Sequence, residues 1–370
     1  MYSEILKIID GGLNSNPQKV YNYSIKFAES LEKDGNINFA KRINKLVQSS
    51  MTRTSRLDSL TTKPFDADTH VDTVSVTIPT ESDEELFFSD FVEKEISDFL
   101  NSYYEQDKFI EMGINSNNRL LLYGKPGTGK TSLARYISLQ TNLPLITVQI
   151  DGIISSLLGN TAKNIRQVFE YAAQQPCILF LDEFDVLAKV RDDKNEIGEL
   201  KRVVNSLLQN IDTFSSESIL IAATNHQQLL DPAVWRRFDI KLNLNLPNSK
   251  VRKEIINYFS KIMENDFPND LKKINQLVKL THGLSPAAIK MVFNSAAKKC
   301  ILRGWNQLKY SQIVFEVYIY KNTNNISDIE AAKFLIRNFV TQVETAELTS
   351  QSMREIRKIY KMEKENVRRK

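Results

Sequence analysis

"RLLLYGKPGTGKTSLARYI", residues 119–137, joins three patterns that decide the fold of the chain around it. The apolar run at its start has the length of a buried strand, and "SLARYI" at its end opens a helical stretch. Between them, "GKPGTGKT" fits the spacing G-x-x-x-x-G-K-[ST], in which glycines let the backbone curl until its N–H groups face an anion. The stretch therefore predicts a phosphate-binding loop between a strand and the amino end of a helix.

The other residue types in this loop also suit phosphate binding. Lys130 brings a positive charge to the β- and γ-phosphates of a nucleotide, and the hydroxyl of Thr131 can ligate Mg²⁺. A glycine-rich turn without a ligand is the alternative, and the flanking strand and helix argue against it. The residues expected to contact the phosphates are Gly124, Lys125, Pro126, Gly127, Thr128, Gly129, Lys130, Thr131 and Ser132.

Two carboxylates end a later apolar run, "ILFLDEFD" at 178–185. A buried strand that ends here would place them beside the phosphate loop, because α/β sites open at the carboxyl edge of the sheet. We expect Asp182 to hold Mg²⁺ through its water shell, and Glu183 to orient and deprotonate an attacking water. Two exposed acids after a core strand, with no catalytic role, are the alternative.

The run "ILIAATNH" at 219–226 ends in Thr224 and Asn225. The neutral amide of Asn225 suits a residue that holds the attacking water against the γ-phosphate from a neighbouring strand. Taken alone, Asn225 would be a strand-end cap. Together with the phosphate loop and the two carboxylates, it is predicted to be functional.

The stretch "DPAVWRRFD" at 231–239 sets Arg236 and Arg237 side by side. Arginine stays charged and is costly to bury alone. A surface turn with structural salt bridges is one explanation for the pair. The other explanation requires a phosphate, which the upstream loop would supply.

Apolar runs of strand length recur between helical stretches from residue 85 to residue 247. This alternation predicts an α/β fold with a mainly parallel sheet. "TVSVTIP", which alternates apolar and polar residues at 74–78, adds one candidate strand. The other predicted strands are 119–123, 145–150, 177–181, 219–224 and 240–246.

The sequence pattern predicts helices at both ends of the chain. Residues 3–50 show three apolar helical faces separated by "DGG" and "KDGN", and 250–318 and 327–370 are helical again. The tail at 352–370 loosely resembles a DNA-reading helix-turn-helix with its turn at "KME", and a solvated basic helix is the favoured alternative. The apolar positions of that pattern are Ile356, Ile359, Met362 and Val367.

Composition excludes several classes of protein. The net charge of +4 over 370 residues does not by itself call for nucleic acid, although residues 65–99 are strongly acidic and 353–370 strongly basic. Cys177 and Cys300 have neither metal-ligand nor redox spacing, which is typical of a reduced compartment. Without a membrane-length apolar run or a signal peptide, we expect a cytoplasmic protein with no membrane partner.

Taken together, "GKPGTGKT", "LFLDEFD", "IAATN" and "DPAVWRRFD" resemble the motifs of the AAA ATPases in order and spacing. The resemblance covers about residues 85–318. It implies an AAA-type P-loop domain with a parallel sheet of five strands and a helical lid, ATP and Mg²⁺ as ligands, and a homo-oligomeric ring, usually a hexamer. The implied division is an N-terminal helical domain at 1–55, a linker at 56–84, the ATPase domain at 85–247, the lid at 248–320 and a basic helical tail at 321–370.

In such rings the arginine of "RFD" points at the neighbour's γ-phosphate, so the resemblance implies that Arg237 is an arginine finger acting in trans. Arg236 stands where many relatives have glycine. The usual second finger would fall at Ile240, so Arg236 is expected to substitute for it. In the lid stretch "GLSPAAIK", Ala287 stands where some broader relatives carry a sensing arginine, so the resemblance implies no charge sensing by the lid. In the region that resembles a pore loop, Leu157, Leu158 and Gly159 lack the aromatic that grips an unfolding substrate.

The resemblance leaves three functions open. The first is an ATPase that remodels or unfolds a protein or complex, with control of a separately encoded effector, such as a protease in anti-phage defence, as one form. The second is a nucleic-acid-associated ATPase or loader that uses the basic tail, with DNA the less favoured partner. The third is an ATP-gated switch that binds a partner without translocation.

Overall fold

The computed structural model describes residues 2–13, 17–33, 39–43, 74–79, 85–114, 118–150, 161–185, 197–268, 270–323 and 326–368. The chain divides into two compact units. One consists of Met1–Glu84, Val92–Gly124 and Lys130–Asn243, and the other of Glu85–Phe91, Lys125–Gly129 and Leu244–Lys370. The five-part division suggested by the resemblance stays a prediction.

One mainly parallel sheet forms the centre of the first unit, as the alternating pattern predicts. Its order is β1-β3-β4-β5-β2-β6, with β1 antiparallel to β3 and the other pairs parallel. The run at 74–78 is an edge strand, so the sheet has six strands rather than the five implied by the resemblance. The strands are β1 (Val74–Thr77), β2 (Arg119–Tyr123), β3 (Leu145–Gln149), β4 (Ile178–Asp182), β5 (Ile219–Thr224) and β6 (Ile240–Asn243).

Strand positions follow from the apolar runs, and their ends differ by only a few residues. The last run was predicted to reach residue 246, but β6 ends at Asn243. All six residues of β5 are buried, as expected for a central strand covered on both faces. Because β4, β5 and β2 are parallel neighbours, their carboxyl ends meet at one edge of the sheet.

Helices pack against the sheet in the first unit. The helices before residue 243 are α1 (Tyr2–Leu13), α2 (Pro17–Lys33), α3 (Asp90–Tyr104), α4 (Gln106–Glu111), α5 (Lys130–Thr141), α6 (Thr161–Ala172), α7 (Ile197–Thr213) and α8 (Pro232–Trp235). Apolar side chains of α6 and α7 share a core with one face of the sheet. Helix α5 contacts β3, β4 and β5.

The N-terminal helices differ from the expected pattern in one respect. "DGG" was predicted to break the first helix, but α1 runs through these residues to Leu13. A glycine costs about 1 kcal/mol in a helix, and packing of α1 on α2 outweighs this local preference. Residues 39–43 are helical and pack on α2. The apolar positions Leu46 and Val47 lie outside the described residues.

Two ion pairs connect α1 and α2 to the rest of the first unit. Lys7 pairs with Asp107 of α4 and also donates a hydrogen bond to the Tyr23 hydroxyl. Lys19 pairs with Glu217, just before β5, at 2.7 Å. Because Glu217 precedes β5, this attachment lies at the amino end of that strand, away from the carboxyl edge.

The second unit is helical after residue 248, as predicted. Its core includes the fully buried Ile289, Phe293, Ile313 and Val317. The helices are α9 (Ser249–Phe259), α10 (Leu271–Leu280), α11 (Pro286–Leu302), α12 (Tyr310–Lys321), α13 (Asp328–Arg337), α14 (Gln342–Thr349) and α15 (Met353–Arg368).

The tail corrects one expectation. A turn at "KME" would divide the tail into two helices, but α15 continues through these residues as one helix. Ile356 and Ile359 are buried as expected, whereas Met362 is 61% exposed. Lys361, Met362 and Glu363 are good helix formers and contain no glycine or proline to stop the helix. The side chain of Val367 lies outside the described residues.

The core of the sheet gives a first testable prediction. Phe180→Ala should lower the free energy of unfolding of the first unit by about 3–5 kcal/mol, because the ring is fully buried and its loss leaves a cavity. Phe39→Ala is the matched control in the same unit: this ring is 53% exposed, and its loss should change stability by about 0.5 kcal/mol or less. Urea denaturation followed by circular dichroism measures both, and equal shifts would contradict this account of the core.

Candidate nucleotide site at the carboxyl edge of the sheet

The phosphate loop predicted at 124–131 follows β2 directly and leads into α5 at Lys130. Its glycines have φ angles of +145° (Gly124), +74° (Gly127) and +102° (Gly129), in the region that L residues rarely adopt. A Cβ on Gly127 would also meet the Ser285 hydroxyl at 2.8 Å and the Ala287 Cβ at 3.0 Å. Glycine is therefore required at Gly127 for two separate reasons.

The neighbouring loop residues are also held in place. The Thr128 hydroxyl donates to the carbonyl oxygen of Lys125 at 2.9 Å and is itself buried. The Ala287 N–H donates to the Gly127 carbonyl oxygen at 3.2 Å. Ala287, expected to carry no charge-sensing role, thus contacts the loop through its backbone. Lys125 and Pro126 are exposed, and Ser132 is half-buried.

Lys130 is buried, with 7% of its surface exposed, and its ammonium group donates to the Gly124 carbonyl oxygen at 2.9 Å. Burial lowers the pKa of Lys130, and the negative charges of Asp182 and Asp185 partly oppose this effect. A cation that has lost part of its hydration gains most from a nearby anion. The position therefore suits contact with a phosphate.

A hydroxyl and a carboxylate converge where a metal ion is expected. The Thr131 hydroxyl, in the first turn of α5, donates to the Asp182 carboxylate at 3.3 Å. Asp182 is the last residue of β4 and is half-buried. Both groups are hard oxygen ligands of the kind Mg²⁺ prefers, and Mg²⁺ keeps several of its waters when bound. The two predicted metal ligands are thus brought together and fit Mg²⁺.

Glu183 stands in a strained conformation immediately after β4. Its φ is +53°, and its backbone N–H donates to the Asp182 carboxylate at 2.9 Å. A non-glycine residue in this left-handed region costs about 1–2 kcal/mol. Its side chain is exposed, so the carboxylate is accessible to water.

Asp185 is a site residue that the sequence analysis missed. It is 3% exposed and accepts hydrogen bonds from the Thr224 hydroxyl at 3.0 Å and the Asn225 N–H at 3.2 Å. These bonds join the end of β4 to the end of β5. The signal in the sequence was a third acid in "DEFD", next to the buried Phe184.

Asn225 occupies the end of β5 as predicted. Its backbone is held by Asp185, and its side-chain oxygen is buried without a hydrogen-bond partner among the described residues. A buried polar atom without a partner is costly in a folded protein. The orphaned oxygen fits a role in binding a water or ligand that completes the site.

The "DPAVWRRFD" stretch forms the short helix α8. Asp231 caps it by accepting from the Ala233 N–H at 2.7 Å, and Pro232 occupies its first turn. The aromatic residues anchor the stretch: Trp235 packs edge-on against Tyr123, and Phe238 against Phe184. These contacts account for the residues that surround the two arginines.

The two arginines differ in their surroundings. The Arg237 Nε donates to both carboxylate oxygens of Asp212, at 2.9 and 3.1 Å, and its Nη1 donates to the Ala233 carbonyl oxygen at 2.8 Å. Arg236 is exposed. Arg237 therefore forms the salt bridge that the alternative explanation required, and Asp212 orients its guanidinium. The trans role of both arginines stays a prediction.

Comparison with known proteins relates this site to a family. The model of the ATPase family associated with various cellular activities (AAA) matches residues 120–246, from β2 through the end of β6. Residues 120–246 of this chain are thus similar to the AAA ATPase domain. An uncharacterized AAA family ATPase of Sinorhizobium fredii is 40% identical over 210 residues, which are 57% of this chain and 62% of that protein.

Two further relatives carry functional names. A proteasome-activating nucleotidase of Sulfurisphaera tokodaii is 35% identical over 224 residues, 59% of this chain and 56% of the relative. The ATP-dependent zinc metalloprotease FtsH of Caldicellulosiruptor bescii is 31% identical over 227 residues, 60% and 36% of the two chains. This chain thus covers less than two thirds of the length of each relative.

Two further expectations from the sequence concern the pore loop and membrane-spanning helices. The pore-loop positions Leu157, Leu158 and Gly159 lie outside the described residues. Among the helices that the structure describes, none has the length and apolar character needed to span a bilayer.

The phosphate loop yields a prediction about Gly127. Gly127→Ala should weaken binding of a fluorescent ATP analogue and destabilise the protein, because the new methyl group meets both strain and the Ser285 and Ala287 side chains. Gly283→Ala is the matched control, since Gly283 has a similar φ of +82° but open space around it. It should lose about 1–2 kcal/mol of stability and keep nucleotide binding. Equal loss of binding in both variants would disprove the steric argument.

Proposed function

We propose that this chain is a Mg²⁺-dependent ATPase that works at the interfaces of a homo-oligomeric ring and remodels a protein or complex. The observation that carries the proposal is the hydrogen bond of 3.3 Å between the Thr131 hydroxyl and the Asp182 carboxylate. Lys130 directly precedes Thr131 in the chain, and Glu183 directly follows Asp182. The similarity to the AAA ATPase domain supports ATP as the substrate.

Each residue then has a step in hydrolysis. The loop N–H groups and Lys130 would hold the β- and γ-phosphates, and Thr131 and Asp182 would hold Mg²⁺, which would supply positive charge beside the phosphates. Glu183 orients the attacking water and takes its proton. Asn225 holds the same water from β5. Asp185 does not touch the substrate, and it positions Asn225 through the two bonds described above.

The arginines complete the site of a neighbouring subunit. Arg237 would stabilise the charge developing on the neighbour's γ-phosphate, and Asp212 would hold the guanidinium in a fixed orientation. Arg236, which is exposed, would supply the second positive charge. A hexamer is the ring size that the family resemblance supports.

A protein is the favoured target of the remodelling. Relatives are named a proteasome-activating nucleotidase and an ATP-dependent metalloprotease, and these names support a protein substrate or a separately encoded effector for this chain. The test is the stimulation of ATP hydrolysis by an unfolded protein compared with duplex DNA. Stimulation by the unfolded protein is expected, and a rate that responds to neither would favour the ATP-gated switch.

Two substitutions separate nucleotide binding from hydrolysis. Lys130→Ala should weaken binding of a fluorescent ATP analogue, because the loop loses its buried cation. Glu183→Gln should bind the analogue normally and stop turnover, because an amide cannot take the proton of the attacking water. Titration of the analogue and a phosphate-release assay measure the two effects. Normal turnover in Glu183→Gln would overturn the mechanism.

The role of Arg237 is tested against its salt bridge with Asp212. Arg237→Ala should bind ATP but lose hydrolysis by about 10³-fold or more, because the neighbour's pocket lacks its finger. Asp212→Asn keeps the arginine and an acceptor oxygen, so it should lower the rate by about five-fold at most. If the two variants lose similar modest amounts of activity, Arg237 is only a structural partner of Asp212.

Mixing experiments show whether the arginine acts across an interface. Glu183→Gln and Arg237→Ala subunits are each expected to be inactive alone. In mixed rings some intact Glu183 pockets face an intact Arg237, so activity should partly return. Size-exclusion chromatography confirms that the subunits assemble, and assembled mixtures without activity would rule out the trans mechanism.

A further inference from the structure

The last three helices of the second unit share a small core of their own. It joins Ala332 and Ile336 of α13, Ala346 of α14, and Ile356 and Ile359 of α15. A bidentate salt bridge also links α13 to α15: the Arg337 guanidinium donates hydrogen bonds to both oxygens of the buried Glu363 carboxylate. Helix α15 is therefore fixed in orientation by two other helices.

The connection between α14 and α15 is short and tightly defined. Helix α14 has eight residues, ends at Thr349 and is followed by Ser350 in the left-handed conformation, with φ of +55°. Helix α15 begins at Met353. Ser352 caps its amino end: the Glu355 N–H donates to the Ser352 hydroxyl at 3.3 Å, and the Glu355 carboxylate accepts from the Ser352 N–H at 3.0 Å. A helix, a turn of three residues and a longer helix have the element order and turn length of a helix-turn-helix motif.

The outer face of α15 is positively charged. Ile356, Ile359 and Glu363 face the core, and the exposed residues on the opposite side are Arg354, Arg357, Lys358, Lys361 and Lys364. Two acids of this helix are engaged elsewhere, Glu355 in the cap and Glu363 with Arg337. From Arg354 to Lys361 the charged face runs about 10 Å along the axis. A helix of about 10–12 Å diameter fits the major groove of B-DNA, which is about 12 Å wide.

We propose that α14 and α15 form a helix-turn-helix unit that binds double-stranded DNA, with α15 in the major groove and α14 across the sugar–phosphate backbone. A-form RNA has a major groove too deep and narrow to admit a helix, which favours DNA. A merely solvated basic helix would need neither the capped three-residue turn nor the bidentate ion pair between Arg337 and Glu363. The proposal concerns the second unit alone and holds independently of ATP hydrolysis.

The test is fluorescence anisotropy of the full chain with a labelled pool of random-sequence DNA duplexes of about 30 base pairs, titrated from about 50 to 200 mM salt. The wild-type chain should bind with strongly salt-dependent affinity. Arg357→Ala with Lys361→Ala should weaken binding about ten-fold or more and reduce the salt slope by about 2, because two phosphate contacts are lost.

A charge-matched control separates the proposed surface from bulk charge. Lys272→Ala with Lys298→Ala removes two exposed lysines from α10 and α11, and it should change the affinity by about two-fold or less. Thermal unfolding verifies that both double variants are folded. All four substituted residues are exposed, so neither double variant removes a side chain from the core.

Several outcomes would overturn the proposal. They are no binding of the duplexes at about 50 mM salt, and equal loss of affinity in the two double variants. Displacement of the labelled DNA by duplex RNA as readily as by unlabelled duplex DNA would exclude a groove-specific contact. Displacement by an acidic unfolded protein at equal concentration would indicate that the charged face of α15 binds proteins instead.

Discussion

Parallel pairing of β4, β5 and β2 is the constraint on which the rest of the site depends. Because the three strands run in the same direction and lie side by side, one edge of the sheet receives the phosphate loop, the acids after β4 and the polar end of β5. Strand pairing alone therefore brings together residues that are separated by about a hundred positions in the sequence. The buried Asp185 then fixes two of these strand ends relative to each other.

The sequence predicted much of this arrangement because its signals are local. The strands of "RLLLY" and "ILIAAT" fall where their apolar runs stand, and the loop glycines have the backbone angles that their spacing demands. Asp185 was missed because a buried acid after a strand resembles any exposed acid until its partners on β5 are known. Likewise, the salt bridge between Arg237 and Asp212 joins residues 25 positions apart, and no periodic pattern in the sequence predicts it.

Errors at the two ends of the chain have different physical origins. The glycines of α1 suggest a break that packing on α2 overrides. The turn at "KME" rested on a motif resemblance, although these three residues favour a helix. Helix α1 packs on α2, and α13 and α14 bury the apolar side of α15. The true break lies earlier, at Ser350, where a serine takes the left-handed conformation more typical of glycine.

The backbone at Glu183 has an evolutionary consequence. Its φ of +53° would suit glycine, which pays no steric cost there. A sequence optimised for folding alone would therefore drift away from glutamate at this position. We expect that a variant designed for stability alone would replace this glutamate early. Such a variant would gain stability from a relaxed backbone and would lose the carboxylate proposed to act in hydrolysis.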